Sequence, residues 1–226
     1  MFGKKLYQTD GQISVKDYKS AIDFCVLSPL YGEKDIERAI NIAYKNKYRS
    51  VCVLPFMVEA AKEYINAKLT GTLLVGTVID FPLGASLLST KAEQAKRAFA
   101  NGADYIDVTI NLSNAKNKNY AALKKEISRM VHIARKNQIN IIIETSALDR
   151  DEIERIIKLC AKSKVDFIMT NTGFGSNGAT PEAVEMLKEL SGDRMGIKAS
   201  GGVTTRDQVW ALIRSGATLV ATSREV

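Results

Sequence analysis

The stretch Tyr105–Ile106–Asp107–Val108–Thr109–Ile110–Asn111 is short, rich in β-branched residues and more apolar than polar. Such a run reads as a strand covered on both faces, the usual condition of a parallel sheet. Its polar members Asp107, Thr109 and Asn111 are two apart, so they share one face. Upstream, Ala92–Phe99 has helical spacing and ends near Gly102, where a helix-terminating glycine belongs. Downstream, Leu123–Ala134 repeats apolar spacings of three and four, and Asn140–Glu144 is the next strand.

The same unit recurs in both directions. Strands are predicted at Ile22–Leu27, Ser50–Leu54, Leu73–Ile79, Tyr105–Ile110, Asn140–Glu144, Asp166–Thr170, Met195–Ala199 and Thr218–Thr222. Helical spacing also covers Ala60, Tyr64, Ile65 and Leu69, and Ile153–Leu159. Asp149–Arg150–Asp151–Glu152 and Thr180–Pro181–Glu182 read as helix starts, and Gly192 and Gly216 as helix ends.

Eight strands, each followed by a helix, is the arithmetic of an α/β chain folded as a single (β/α)8 TIM barrel over 1–226. A doubly wound open sheet is the alternative. It usually has fewer strands and often a glycine-rich first turn, whereas strand one here is followed by Ser28–Pro29. Val226 comes directly after strand eight, so the eighth helix is expected to be missing or truncated. Either Ile13–Ala21 or a second subunit would then cover that strand, and the second alternative implies a homodimer.

Composition narrows the function classes. The chain has 226 residues, 46% hydrophobic and 25% charged, an ordinary globular balance. No apolar run reaches the length of about 18 residues that spans a bilayer, so no membrane partner is expected. Cys25, Cys52 and Cys160 are widely spaced and read as reduced thiols of a cytoplasmic protein. His132, the only histidine, falls inside a helical pattern, which argues against a histidine metal centre or a Ser-His-Asp triad. No metal and no cofactor are expected. The net charge of +7 permits nucleic-acid binding, but the lysines are scattered among glutamates and alanines, as on solvated helix faces. Nucleic acid is therefore not an expected partner, while a small anionic substrate suits a modest positive field.

In a TIM barrel the active site lies at the carboxyl ends of the strands. Those ends deliver Asp23 and Cys25, Asp80, Asp107, Glu144 and Ser146, Met169 and Asn171, and Lys198. Glycine-rich turns follow strands six and seven, and a Thr-Ser-Arg turn follows strand eight. They supply Thr172, Gly173, Gly175, Ser200, Gly201, Gly202, Ser223 and Arg224 as phosphate-binding candidates, because glycines let backbone amides approach an anion. Lys198 and Asp107 should both face inward. They read either as a structural ion pair or as an amine of lowered pKa with a proton-moving carboxylate.

Many of these residues also carry a resemblance to the deoxyribose-phosphate aldolase family. It runs from Ile22 to Ser223 through Ile22–Asp23, Ser50–Val53, Phe81–Gly84, Gly102–Asp107, Asp166–Ile168, Thr170–Gly175, Gly178–Thr180 and Lys198–Gly202. The resemblance implies a metal-free class I aldehyde-lyase that joins acetaldehyde to glyceraldehyde 3-phosphate through a lysine Schiff base, and hence a phosphorylated sugar as ligand. The position of the family's Schiff-base lysine is Met169 here, and a thioether cannot form an imine. Lys198 matches the family's second lysine, Asp107 its proton-transferring aspartate, and Asp23 matches as well.

Other departures cluster around the carbonyl-handling end. Phe24 and Cys25 replace a usual His and Thr, Ser28 a usual Lys, Leu54 a usual Asn, and Asp80 a usual Gly. Two readings follow. In one, the chain is an aldolase of diverged chemistry with Lys198 as the candidate amine. In the other, it is an inactive phosphosugar-binding paralogue.

Overall fold

The computed structural model describes residues 18–226. Eight parallel strands close in sequence order into a barrel: β1 (Ile22–Val26), β2 (Ser50–Val53), β3 (Leu74–Ile79), β4 (Tyr105–Thr109), β5 (Gln138–Ile142), β6 (Phe167–Met169), β7 (Gly196–Ala199) and β8 (Leu219–Thr222). The open-sheet alternative is thereby excluded, since β1 pairs with β8 as well as with β2.

Helices return the chain after each of the first seven strands: α1 (Glu33–Asn46), α2 (Val58–Lys68), α3 (Leu88–Ala100), α4 (Leu112–Lys116), α5 (Tyr120–Ala134), α6 (Arg150–Ser163), α7 (Pro181–Ser191) and α8 (Arg206–Arg214). The fourth crossover holds two of them. The expected starts are present. Asp149 and Glu152 cap α6 reciprocally, and the Thr180 hydroxyl caps α7, which has Pro181 in its first turn.

No helix follows β8 among the described residues. The tail turns back along α1 instead. Glu225 accepts from Asn46 Nδ2, and the Tyr48 hydroxyl donates to the Val226 carbonyl at 2.9 Å. Of the segment expected to cover β8, residues 13–17 lie outside the described residues. Tyr18–Ala21 forms a single 3-10 turn whose Tyr18 ring packs on Trp210 of α8, 5.2 Å between centroids.

The outward face of the strands and the inward faces of the helices form one apolar layer, with residues such as Phe24, Val51, Ile106, Ile141 and Val220 on the barrel side. The inward face is different. Its lower half is polar and fully buried, with Asp23, Ser50, Asp107, Asn140 and Lys198. Gly76 is what lets Tyr105 cross this space, because a Cβ there would stand 1.9 Å from the ring. Among the described residues no helix is long and apolar enough to cross a membrane.

Candidate active site

Lys198 is the centre of the polar floor. Its ammonium donates to Asp107 Oδ2 at 2.7 Å, lies 2.8 Å from Asp23 Oδ2, and sits 4.6 Å from the centre of the Tyr105 ring. The network continues on both sides. Arg49 Nη1 donates to Asp23 Oδ1 at 2.6 Å, and Asn140 Nδ2 donates to Asp107 Oδ1 at 2.6 Å. Gln138 Nε2 donates to Asn140 Oδ1 at 2.8 Å, and Arg49 Nη2 returns to Gln138 Oε1. Arg49, Asp23, Lys198, Asp107, Asn140 and Gln138 thus form a closed circuit with two cations and two carboxylates. Ser50 donates to Asp23 and meets the Tyr105 hydroxyl at 2.8 Å, bracing the circuit.

Electrostatics follow from this pairing. Burial opposes the Lys198 charge, but Asp107 and Asp23 outweigh it and raise its pKa above the ordinary lysine value. Burial also works against the Asp23 carboxylate, yet Arg49 and Lys198 hold it well below its usual range. Asp107 moves the other way. Burial pushes its pKa up by more than Lys198 and Asn140 pull it down. Lys198 thus stands between two carboxylates that favour its charged form.

A cavity of about 880 Å³ opens above the floor at the carboxyl ends of the strands. Its wall includes Cys25, Val78, Phe81, Asp107, Met169 and Ala221, and its glycine side Thr172, Gly173, Ser200, Gly201, Gly202, Ser223 and Arg224. Met169 thus lines the cavity, packed with Ile142 and Ala221. Lys198 and Asp23 do not line it; they lie one level below. Phe81 and Phe174 meet edge to face at 5.5 Å across the mouth.

The glycine side is built by interlocked turns. Gly173, Gly201 and Gly202 all have positive φ, at 84°, 99° and 71°. Their amides donate to no protein acceptor among the described residues, so they can serve an anion. A Cβ on Gly201 would come within 3.1 Å of Asn171 and 3.3 Å of the Gly173 nitrogen. Ser200 lines the cavity, but its hydroxyl is engaged, donating to the Asn171 carbonyl at 2.6 Å.

Gly175 is away from the cavity wall. It packs on Glu144, where a Cβ would stand 2.5 Å from Oε1. Glu144 itself was a strand-five candidate without an assigned task. Its carboxylate accepts from the Thr172 amide at 3.0 Å and the Thr172 hydroxyl at 2.6 Å, so it braces the turn that carries Gly173. Asp80 is likewise a brace. It adopts φ 52°, accepts from Ser86 N and Oγ, and pairs with buried Lys91 at 3.1 Å.

Arg49, Gln138 and Asn140 were absent from the sequence-derived site. Arg49 lies outside the strand spans, and the two amides have no chemistry that spacing alone reveals. No group of three or more His, Cys, Asp or Glu that could hold a metal occurs among the described residues.

Comparison with known proteins agrees with this architecture. Residues 10–223 match the family model described as DeoC/LacD family aldolase. A deoxyribose-phosphate aldolase of Thermococcus kodakarensis is 37% identical, covering 91% of this chain and 92% of the relative. Among solved structures, QR15, an aldolase, superposes with TM-score 0.86 at 31% identity over 92% of this chain and 91% of that one. The deoxyribose phosphate aldolase of Aeropyrum pernix, described as a unique tetramer, gives 0.84 at 26% identity, over 95% and 90%. The closed barrel, the aspartate–lysine floor and these matches together place the chain in the DeoC/LacD aldolase family.

Proposed function

We propose that this chain binds a phosphorylated aldose in the cavity, and that the lysine-imine cleavage of its family is very slow or absent in it. One observation carries the reading: a thioether, Met169, stands on the cavity wall where the family resemblance places the reactive amine. The neighbouring amine does not compensate. Lys198 lies below the wall between two carboxylates, which favour its charged form.

The phosphate would sit on the amides of Gly173, Gly201 and Gly202, with Thr172, Ser223 and Arg224 beside them. Placed so, the sugar body points toward Met169 and Asp107. Asp107, backed by Lys198, would remain able to exchange a proton with a bound carbonyl compound.

A second reading keeps aldehyde-lyase activity, with Lys198 as the amine. The aldolase relatives favour it, and so does the register, which pairs Lys198 with Met169 on adjacent strands. Lys198 would have to give up an ion pair and reach upward to form the imine.

The two readings separate in one experiment. The protein is incubated with acetaldehyde and borohydride and mapped by mass spectrometry, and 2-deoxyribose 5-phosphate binding is measured by calorimetry. Binding without a reduced adduct supports the first reading. An adduct on Lys198 supports the second, and absence of binding removes both.

A further inference from the structure

Two thiols stand side by side in the barrel interior. Cys25 and Cys52 are register partners on β1 and β2. Both project inward, alternating with the outward residues Phe24, Val26, Val51 and Val53. Neighbouring strands lie about 4.8 Å apart, inside the Cα separation of about 4.4–6.8 Å that a disulfide spans. Cys25 packs against the cluster formed by Cys52, Val78 and Tyr105.

The two differ in access. Cys25 is half-buried and lines the cavity, whereas Cys52 is fully buried. Their surroundings differ too. The Cys52 sulfur lies 4.0 Å from Asp107 Oδ2, and the Lys198 ammonium is within electrostatic reach of both sulfurs. Of the two, only Cys25 borders the cavity through which an oxidant would enter. Contact with Cys25 and burial push the Cys52 thiol well above its usual pKa, so Cys52 is suited to follow and not to lead.

We propose that Cys25 and Cys52 form a peroxide-responsive dithiol that closes into a disulfide in the cavity wall. The chemistry balances in two steps. The Cys25 sulfur attacks hydrogen peroxide, the O–O bond breaks, and Cys25 becomes a sulfenic acid with release of one water. The Cys52 sulfur then attacks the Cys25 sulfur. Its proton passes by way of Asp107 to the departing hydroxide, which leaves as a second water. Two thiols are oxidised by two electrons and one peroxide is reduced. The product is neutral, so it leaves the charge balance of the Arg49–Lys198 circuit unchanged. This device is independent of which ligand the cavity takes.

The test is peptide mapping of the full chain after hydrogen peroxide, with and without dithiothreitol. The expected product is a Cys25–Cys52 peptide lighter by two hydrogens. Both thiols should be lost to alkylation, Cys160 should remain free, and dithiothreitol should reverse the change. Cys52→Ser should stop at a Cys25 sulfenic acid that dimedone captures and that excess peroxide carries on to sulfinic acid. Cys52→Ala serves if the serine variant does not fold, and the wild-type map decides alone if neither does. Accumulation of Cys25 sulfinic acid in the wild type without the linked peptide would overturn the proposal. So would a linkage only between two chains, or an unmodified Cys25.

Discussion

Met169 and Lys198 are paired in register on β6 and β7, yet only the methionine reaches the cavity. One residue borders the cavity and has no reactive nitrogen. The other has the nitrogen and holds it between two carboxylates. The following expectations rest on that division.

Met169→Lys should restore covalent chemistry. A second ammonium beside Lys198 would be depressed by like charge and by burial, as a Schiff-base amine requires. The wild type is expected to cleave 2-deoxyribose 5-phosphate well below about 1 per second, the low end of ordinary enzyme rates. The variant should gain on the order of a hundredfold or more, with borohydride trapping at position 169. A wild type of ordinary rate, or a variant with neither turnover nor adduct, would count against the reading of this position.

Lys198→Met should damage folding more than any change at the cavity wall. It leaves Asp107 and Asp23 buried with one cation where there were two. Removing one partner of a buried pair costs about 3–5 kcal/mol. Urea denaturation measures this directly. A loss under about 1 kcal/mol would mean that the circuit contributes little to stability.

Acid stability should depend on Asp23. Its folded pKa is depressed, so its contribution is fully present above the unfolded value of about 3.9 and is lost as pH falls through the folded value. Asp107 is raised, so it acts with the opposite sign: its contribution is greatest at low pH and declines as it ionises. Asp23→Asn should therefore flatten the fall in melting temperature below about pH 4. An unchanged acid limb in that variant would contradict the assignment.

Gly201→Ala should abolish phosphate binding. The position has φ 99°, and the added methyl would press on Asn171 and on the Gly173 amide. A destabilisation of about 1 kcal/mol or more is expected from the backbone alone. Calorimetry with inorganic phosphate and with 2-deoxyribose 5-phosphate should show no heat of binding. Retained affinity for both would move the anion site elsewhere.

Much of this was legible in the sequence. The strand order is written in alternating apolar runs, and the inward placement of Asp107 and Lys198 follows from that alternation. Helix starts such as Asp149 and Thr180 were readable because capping is local. What escaped was set by closure. Arg49 meets Gln138 only because β1 through β5 curve around one axis, and no local pattern encodes that meeting. The same holds for Glu144, whose bond to Thr172 joins the ends of two strands. Gly175 looked like part of an anion loop because composition does not reveal which glycine faces the ligand. The depth of Lys198 could not be read either, since it depends on the pairing of its nitrogen and not on its strand.

Except for Asp107, which borders the cavity, the circuit from Arg49 to Gln138 lies beneath the space a ligand would enter, and its two cations face two carboxylates. Of the groups that keep the staves of this barrel together, Asp107 alone therefore also meets the solute. Met169 lies on the wall above that base and outside its hydrogen bonds, so a scaffold of this kind can lose or acquire a reaction while its shape persists.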